Sequence, residues 1–359
     1  MRTESIFISR LAPRRGVVPE PSRPQGGGRG QWWQGIRPVY GRRNATADPP
    51  MPPALPEPRP IRGSTALVGL LGDPVRHSLS PAMHNAALAE LELDWVYLAL
   101  PVPAAELAGA VRALAAMGCR GLNVTIPHKR AAADLAGDRS PLASRLGAVN
   151  TLVPRPEGGW WGTNTDGEGF SQPLREAAGP GQSWRGKRAL VLGCGGSARA
   201  VVAALVELGF ADIQLAGRRA AALEAFRQDC AAWAPQLRPL LWSAEADGLA
   251  AALAGADLVV NTTPVGMASA SDPTAAAACP LSERELQALP AGCWVYDLIY
   301  TPRPTELLRR AAQRGCRSLD GLEMLVQQGA AALRLWSGRA EVPVERMRDA
   351  ALEALAGEA

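Results

Sequence analysis

An apolar run that stops at a glycine-rich turn and restarts as a helix constrains this chain more than any other feature. RALVLG (188–193) has the composition of a buried strand, GCGGSA (193–198) follows without a spacer, and ARAVVAALVELG (198–209) continues with helical character. Gly193, Gly195 and Ala198 fall at the positions of a G-x-G-x-x-G/A turn. Such a turn lets a backbone approach a pyrophosphate, which then sits on free N–H groups at the helix start. A purely structural turn is the competing reading, and the flanking strand and helix favour binding. The contacting segment expected is Gly193, Cys194, Gly195, Gly196, Ser197 and Ala198.

The next strand, DIQLAG (212–217), ends in Gly217, Arg218 and Arg219, with no carboxylate where an NAD enzyme places one for the ribose hydroxyls. Asp212 stands at the strand's other end. Paired guanidiniums suit a 2′-phosphate, so NADP is the cofactor expected; two solvated arginines are the bland alternative.

Around this unit, strands alternate with helices, the pattern of an α/β fold with largely parallel sheets. The first stretch predicts strands at 66–72, 95–102, 121–126 and 148–153. A helix over 77–91 has Ser80 as N-cap and Pro81 at its first turn, and another spans 104–118. The second stretch predicts four strands, 188–193, 212–217, 257–262 and 293–299. Amphipathic helices at 320–338 and 342–357 follow, the first expected to pack back on the first unit. The division expected is a leader over 1–63, a substrate-binding domain over 64–165 completed by 320–359, and a Rossmann-type NADP domain over 166–319.

Residues 1–63 hold 11 Arg against four acids, a balance of +7 that leaves −3 for the remainder of a chain whose net charge is +4. With 12 Pro and eight Gly the leader reads as disordered, either a targeting peptide or an untethered tail with Met51 as a start. The folded part therefore lacks a basic face for nucleic acid. No apolar run is long enough for a membrane span. Cys119, Cys194, Cys230, Cys279, Cys293 and Cys316 lie singly, without metal-ligand spacing, which fits a reducing cytoplasm and no metal.

Of the 38 basic residues, only Lys129 and Lys187 are lysine. Lys187, in WRGKR, reads as solvated. Lys129, in NVTIPHK, follows a strand at the edge where α/β clefts gather ligands, and a lysine can supply a proton to a nascent alkoxide as arginine cannot. Asp166 in TNTDG could bond the same hydroxyl or Lys129; it could equally cap a helix over 167–176, and the two roles are compatible. His77, His84 and His128 read as helix-start or turn residues, and Asn123 as a strand-end residue shaping the pocket.

Taken in order, HSLSP, NVTIPHK, GAVNT, NTDG, GCGGSA, AGRR, NTTPVGM, YDLIY and DGLEMLVQQ resemble the shikimate dehydrogenase family, from about Thr65 to Gly357. The resemblance implies an open αβα substrate domain beside the Rossmann domain, and NADPH-dependent reduction of 3-dehydroshikimate to shikimate in aromatic amino-acid biosynthesis. It implies that Lys129 and Asp166 are the catalytic pair and that Ser78 and Ser80, helped by Tyr300, hold the substrate carboxylate. Thr125, Asn150 and Gln328 would hold the ring hydroxyls, with Gln327 the adjacent alternative, and Leu298 and Gly321 join the cofactor contacts. Two positions depart from the family pattern: Gly217 where Asn is common, and Cys194 where Ala is usual. The competing readings are an NAD-using quinate/shikimate dehydrogenase and a non-catalytic NADPH-sensing module. A homodimer without nucleic-acid or membrane partners is the assembly expected.

Overall fold

The computed structural model describes residues 60–179, 183–243, 248–268, 272 and 274–357. The leader expectation therefore lies outside the described residues, except for 60–63. The first stretch folds as β1 (Ala66–Gly72), α1 (Ser80–Glu90), β2 (Trp95–Pro101), α2 (Leu107–Ala116), β3 (Gly121–Val124), α3 (Lys129–Leu135), β4 (Asp138–Arg139), α4 (Pro141–Leu146), β5 (Thr151–Pro154), β6 (Trp160–Thr163) and α5 (Asp166–Ala178). The second comprises β7 (Arg188–Leu192), α6 (Gly196–Glu207), β8 (Asp212–Gly217), α7 (Ala220–Cys230), β9 (Leu237–Leu241), α8 (Gly248–Ala254), β10 (Leu258–Asn261), α9 (Glu283–Gln287), β11 (Trp294–Asp297), α10 (Glu306–Gln313) and β12 (Arg317–Leu319). Helices α11 (Gly321–Ser337) and α12 (Val344–Gly357) close the chain.

The strands form two sheets. In the first, ordered β2-β1-β3-β5-β6-β4, strands β1, β2 and β3 are parallel, and the hairpin β5–β6 begins with a strand antiparallel to β3. The second, β12-β11-β10-β7-β8-β9, is parallel throughout. Its chain runs outward from β7 to β9, then returns to the other side of β7, so the crevice at the carboxyl ends of β7 and β10 is a switch point where ligands bind.

Period-two alternation explains why both faces of each sheet are covered. Val68 and Leu70 of β1 pack with Met83, Val326, Leu333 and Met347 of α1, α11 and α12. Leu71, Leu122 and Val124 face Leu107, Val111 and Ala132 on the opposite side. In the second sheet Val191, Leu215 and Val260 meet Phe170 and Leu174 of α5 and Val201 of α6, while Leu192, Val259 and Val295 meet Leu253, Leu286 and Leu308. The expected return of the helix after Asp320 is present: Trp336 Nε1 donates to the Leu152 carbonyl at 3.1 Å.

Several expectations need correction. The second sheet has six strands, because β9 and β12 also pair; β9 contains Pro239, which weakens its strand signal and suits an edge, and β12 is three residues long. The third strand stops at Val124 rather than 126. Ser80 is the first helical residue of α1 rather than its cap, and its N–H donates to Ser78 Oγ at 3.2 Å. Asp166 likewise begins α5, which runs to Ala178, and Asn164 Oδ1 accepts the Asp166 N–H at 3.0 Å.

Candidate functional site

The two parallel neighbours β1 and β3 send their carboxyl-end loops to one edge, and the antiparallel hairpin places the start of β5 and the end of β6 at that edge too. The register Asn123↔Thr151↔Thr163 shows why. Ser78, Thr125, Lys129, Asn150 and Asp166 therefore share one end of the first sheet, although 88 positions separate the first from the last. The close approach is tight: a Cβ on Gly72 would lie 2.4 Å from the Thr125 methyl, so only glycine lets these loops touch.

Lys129 Nζ donates to Asp166 Oδ2 at 2.6 Å, with the two side chains 28% and 11% exposed. The pair is thus sheltered yet reachable. Asp166 Oδ1 accepts from Asn150 Nδ2 at 2.8 Å, so the carboxylate faces Lys129 and Asn150 instead of capping α5. Asn150 is 2% exposed, and its NH2 also reaches Thr165 Oγ1 at 3.1 Å.

Ser78 is half-buried and Ser80 buried at the start of α1. Tyr300 is half-buried and packs on the core that α1 and α11 share with β1. Gln328 is half-buried where α11 meets α5, its Nε2 donating to the Leu325 carbonyl; Gln327 is buried. None of the histidines joins the pair. His128 contacts the Val102 carbonyl through Nε2 at 2.6 Å. His77 is exposed in the loop before α1. His84 departs from its helix-start reading: it lies inside α1, fully buried, stacked on Tyr97 with ring centroids 4.2 Å apart, and burial pushes its pKa down to about 3. Lys187 pairs with Asp257 at 3.1 Å on an exposed surface.

At the second sheet's switch point the glycine turn has the expected form. Gly193 has φ +98°, and a Cβ there would lie 2.8 Å from Thr262 Oγ1, so it must be glycine for both reasons. Gly195 and Gly196 face open space, with nothing near a Cβ position, and α6 begins there without a side-chain cap. Ala198 is buried against the sheet beneath. Free N–H groups, an open floor and a helix dipole fit a dinucleotide pyrophosphate. Arg218 and Arg219 are exposed beyond β8, and Cys194 and Gly217 lie beside each other: the thiol sits 3.3 Å from a Cβ position on Gly217. Gly321, at the start of α11, is held against the Leu298–Ile299 backbone, where a Cβ would fall 2.0 Å from the Leu298 carbonyl oxygen. Sequence reasoning gave no role to Thr262 and Thr263, which line the turn, or to Tyr97, Thr151 and Thr165. Thr151, Thr165, Thr262 and Thr263 lie inside segments that carry the family resemblance, and Tyr97 is a polar side chain in an otherwise apolar strand.

The sequence profile of the shikimate dehydrogenase substrate binding domain matches residues 70–152, and that of the shikimate 5′-dehydrogenase C-terminal domain matches residues 321–352. The chain is 51% identical over 298 residues to a shikimate dehydrogenase (NADP+) of Synechococcus sp. (strain JA-3-3Ab), covering 83% of this chain and 97% of that relative. Among solved structures it resembles shikimate 5-dehydrogenase from Listeria monocytogenes in complex with shikimate and NAD (33% identity, TM-score 0.71, 81% of this chain and 98% of that one). It also resembles shikimate 5-dehydrogenase from Thermus thermophilus in complex with NADP(H) and shikimate (36% identity, TM-score 0.69, 81% and 100%).

Proposed function

The chain belongs to the shikimate dehydrogenase (NADP+) family, and from that premise we propose that Lys129 and Asp166 carry out its proton transfer. The enzyme interconverts 3-dehydroshikimate and shikimate in aromatic biosynthesis with NADP(H) as cofactor. The observation that carries the catalytic assignment is the 2.6 Å contact between Lys129 Nζ and Asp166, brought together across 37 positions at the edge where the loops converge.

The glycine turn from Gly193 to Ala198 would hold NADPH, which would supply hydride to the carbonyl carbon. The carbonyl oxygen then gains electron density and needs a proton. Lys129, as an ammonium, donates it; in the reverse direction the neutral amine accepts the proton of the shikimate hydroxyl. Asp166 holds the ammonium and accepts a hydrogen bond from the reacting hydroxyl. Ser78, Ser80 and Tyr300 bind the substrate carboxylate at the start of α1, and Thr125, Asn150 and Gln328 the ring hydroxyls. Gly193 to Ala198 hold the pyrophosphate, Gly217, Arg218 and Arg219 the 2′-phosphate, and Leu298 and Gly321 the nicotinamide side.

The domain limits proposed are 64–165 with 320–359 for substrate and 166–319 for cofactor. They are supported by the return of α11 and α12 to the first sheet and of α5 to the second. We also assign a homodimer, to which the exposed Leu98 on edge strand β2 offers a surface, and a cytoplasmic location, supported by six free cysteines. Steady-state assays with shikimate and NADP test the reading. Turnover with NADP is expected; preference for NAD and quinate, or cofactor binding without turnover, would replace it.

A further inference from the structure

A chain of buried hydrogen bonds leads away from the catalytic pair and ends far from solvent. Asn150 Oδ1 accepts from the Thr165 backbone N–H and from Thr151 Oγ1, both at 2.8 Å. A backbone N–H can only donate, so the Asn150 oxygen must face it and the NH2 must face Asp166. Thr151 Oγ1, while donating to Asn150, accepts from Asn123 Nδ2 at 3.2 Å. The Asn123 NH2 also donates to the Asn150 backbone carbonyl at 3.2 Å, which fixes the second amide as firmly as the first. The remaining Asn123 oxygen accepts from Tyr97 Oη at 2.8 Å. Tyr97 is fully buried, and burial holds its phenol in the protonated, donating form. Its ring packs against His84 and Trp336.

We propose that Tyr97, Asn123 and Thr151 are positioning residues, a buried hydrogen-bond chain that, together with the Thr165 N–H, holds the Asn150 amide toward Asp166 and so keeps the Lys129–Asp166 pair in its reactive arrangement. The Thr165 N–H fixes the Asn150 amide and the Asn150 carbonyl fixes the Asn123 amide, and the Thr151 hydroxyl, which also lies 3.2 Å from Thr165 Oγ1, links the two. Breaking the Thr151 link removes one of the hydrogen bonds on the Asn150 oxygen and one of those made by the Asn123 NH2, and so weakens the hold on both amides. Rotation of Asn150 would set its oxygen against the Asp166 carboxylate, a repulsive contact that moves the carboxylate off Lys129.

This inference rests on the catalytic assignment of Lys129 and Asp166. The test is steady-state kinetics of the full chain with shikimate and NADP. Thr151→Val removes one hydroxyl with little change of shape. We expect kcat to fall about tenfold or more while the Michaelis constant for shikimate changes less than about threefold, the signature of lost transition-state alignment. Thr151→Ser should restore kcat to within about threefold of the parent. Parent kinetics in Thr151→Val, or equal impairment of the Val and Ser variants, would overturn the proposal. If Thr151→Val does not fold, Tyr97→Phe decides: a lower kcat with the Michaelis constant for shikimate changed less than about threefold supports the chain, and parent behaviour refutes it. Lys129→Ala separates the two levels. An inactive Lys129→Ala beside a normal Thr151→Val removes only the chain, whereas an active Lys129→Ala removes the catalytic assignment beneath it.

Discussion

At the scale of single residues, the lysine count matters because it leaves two candidates for the proposed proton donor, of which Lys187 is paired with Asp257 on an exposed surface. Lys129→Ala should lower turnover by about 10² to 10⁴ while substrate binding falls far less. Lys129→Arg keeps the charge and loses the titratable proton, so it should remain inactive near neutral pH. Near-normal turnover in Lys129→Arg would mean that the residue only positions substrate. The two departures from the family pattern prove to be one. A side chain on Gly217 would press on the Cys194 sulfur and on Leu223 Cδ2, which lies 2.9 Å from the Cβ position. Gly217→Asn alone should therefore cost about 1–3 kcal/mol, and Cys194→Ala should recover part of it. Strictly additive effects in urea unfolding of the four proteins would show the positions to be independent.

At the scale of elements, α5 and α11 touch backbone to backbone. A Cβ on Gly169 would lie 2.7 Å from the Met324 carbonyl oxygen and 2.9 Å from the Gln328 nitrogen, neither of which can move without its helix. Gly169→Ala should destabilise the protein by about 1–3 kcal/mol, and should also lower kcat, because Asp166 begins the same helix one turn earlier. An unchanged melting temperature would contradict this packing. Asp297 joins three elements from the end of β11. It accepts from Asn261 Nδ2 at the end of β10, from Thr305 Oγ1 at the start of α10, and from the Ile299 N–H. Burial outweighs these bonds and pushes its pKa up to about 6. A folded-state value above the unfolded value of about 3.9 means that its stabilising contribution is full below about pH 4 and lost as pH rises through about 6. Asp297→Asn should flatten the decline of melting temperature between about pH 4 and 7, and a decline as steep as the parent's would assign it to other groups.

At the scale of the whole molecule, cofactor choice depends on how the second sheet's carboxyl edge is furnished. Arg218→Ala should raise the Michaelis constant for NADP about ten- to a hundredfold, the worth of a charge-assisted phosphate contact, and leave NAD use nearly unchanged. Equal effects on both cofactors would refute a 2′-phosphate role for Arg218.

The glycine turn, the missing acid after β8 and the alternating apolar runs were legible in the sequence because each is a local demand. A tight turn needs glycine, a phosphate needs a cation, and a doubly covered sheet needs continuous apolar strands. The edge strands β9 and β12 were not legible, since a proline and a three-residue length leave little local signal and only pairing with a neighbour defines them. Lys129 and Asp166 could be named from the sequence, but their 2.6 Å contact depends on a hairpin returning β6 to the edge where β3 ends. The Tyr97–Asn123–Thr151–Asn150 chain was invisible for the same reason. Side chains far apart in sequence become partners only when strand register sets them on one face, and hydrogen-bond direction is then decided by which backbone groups happen to be fixed there.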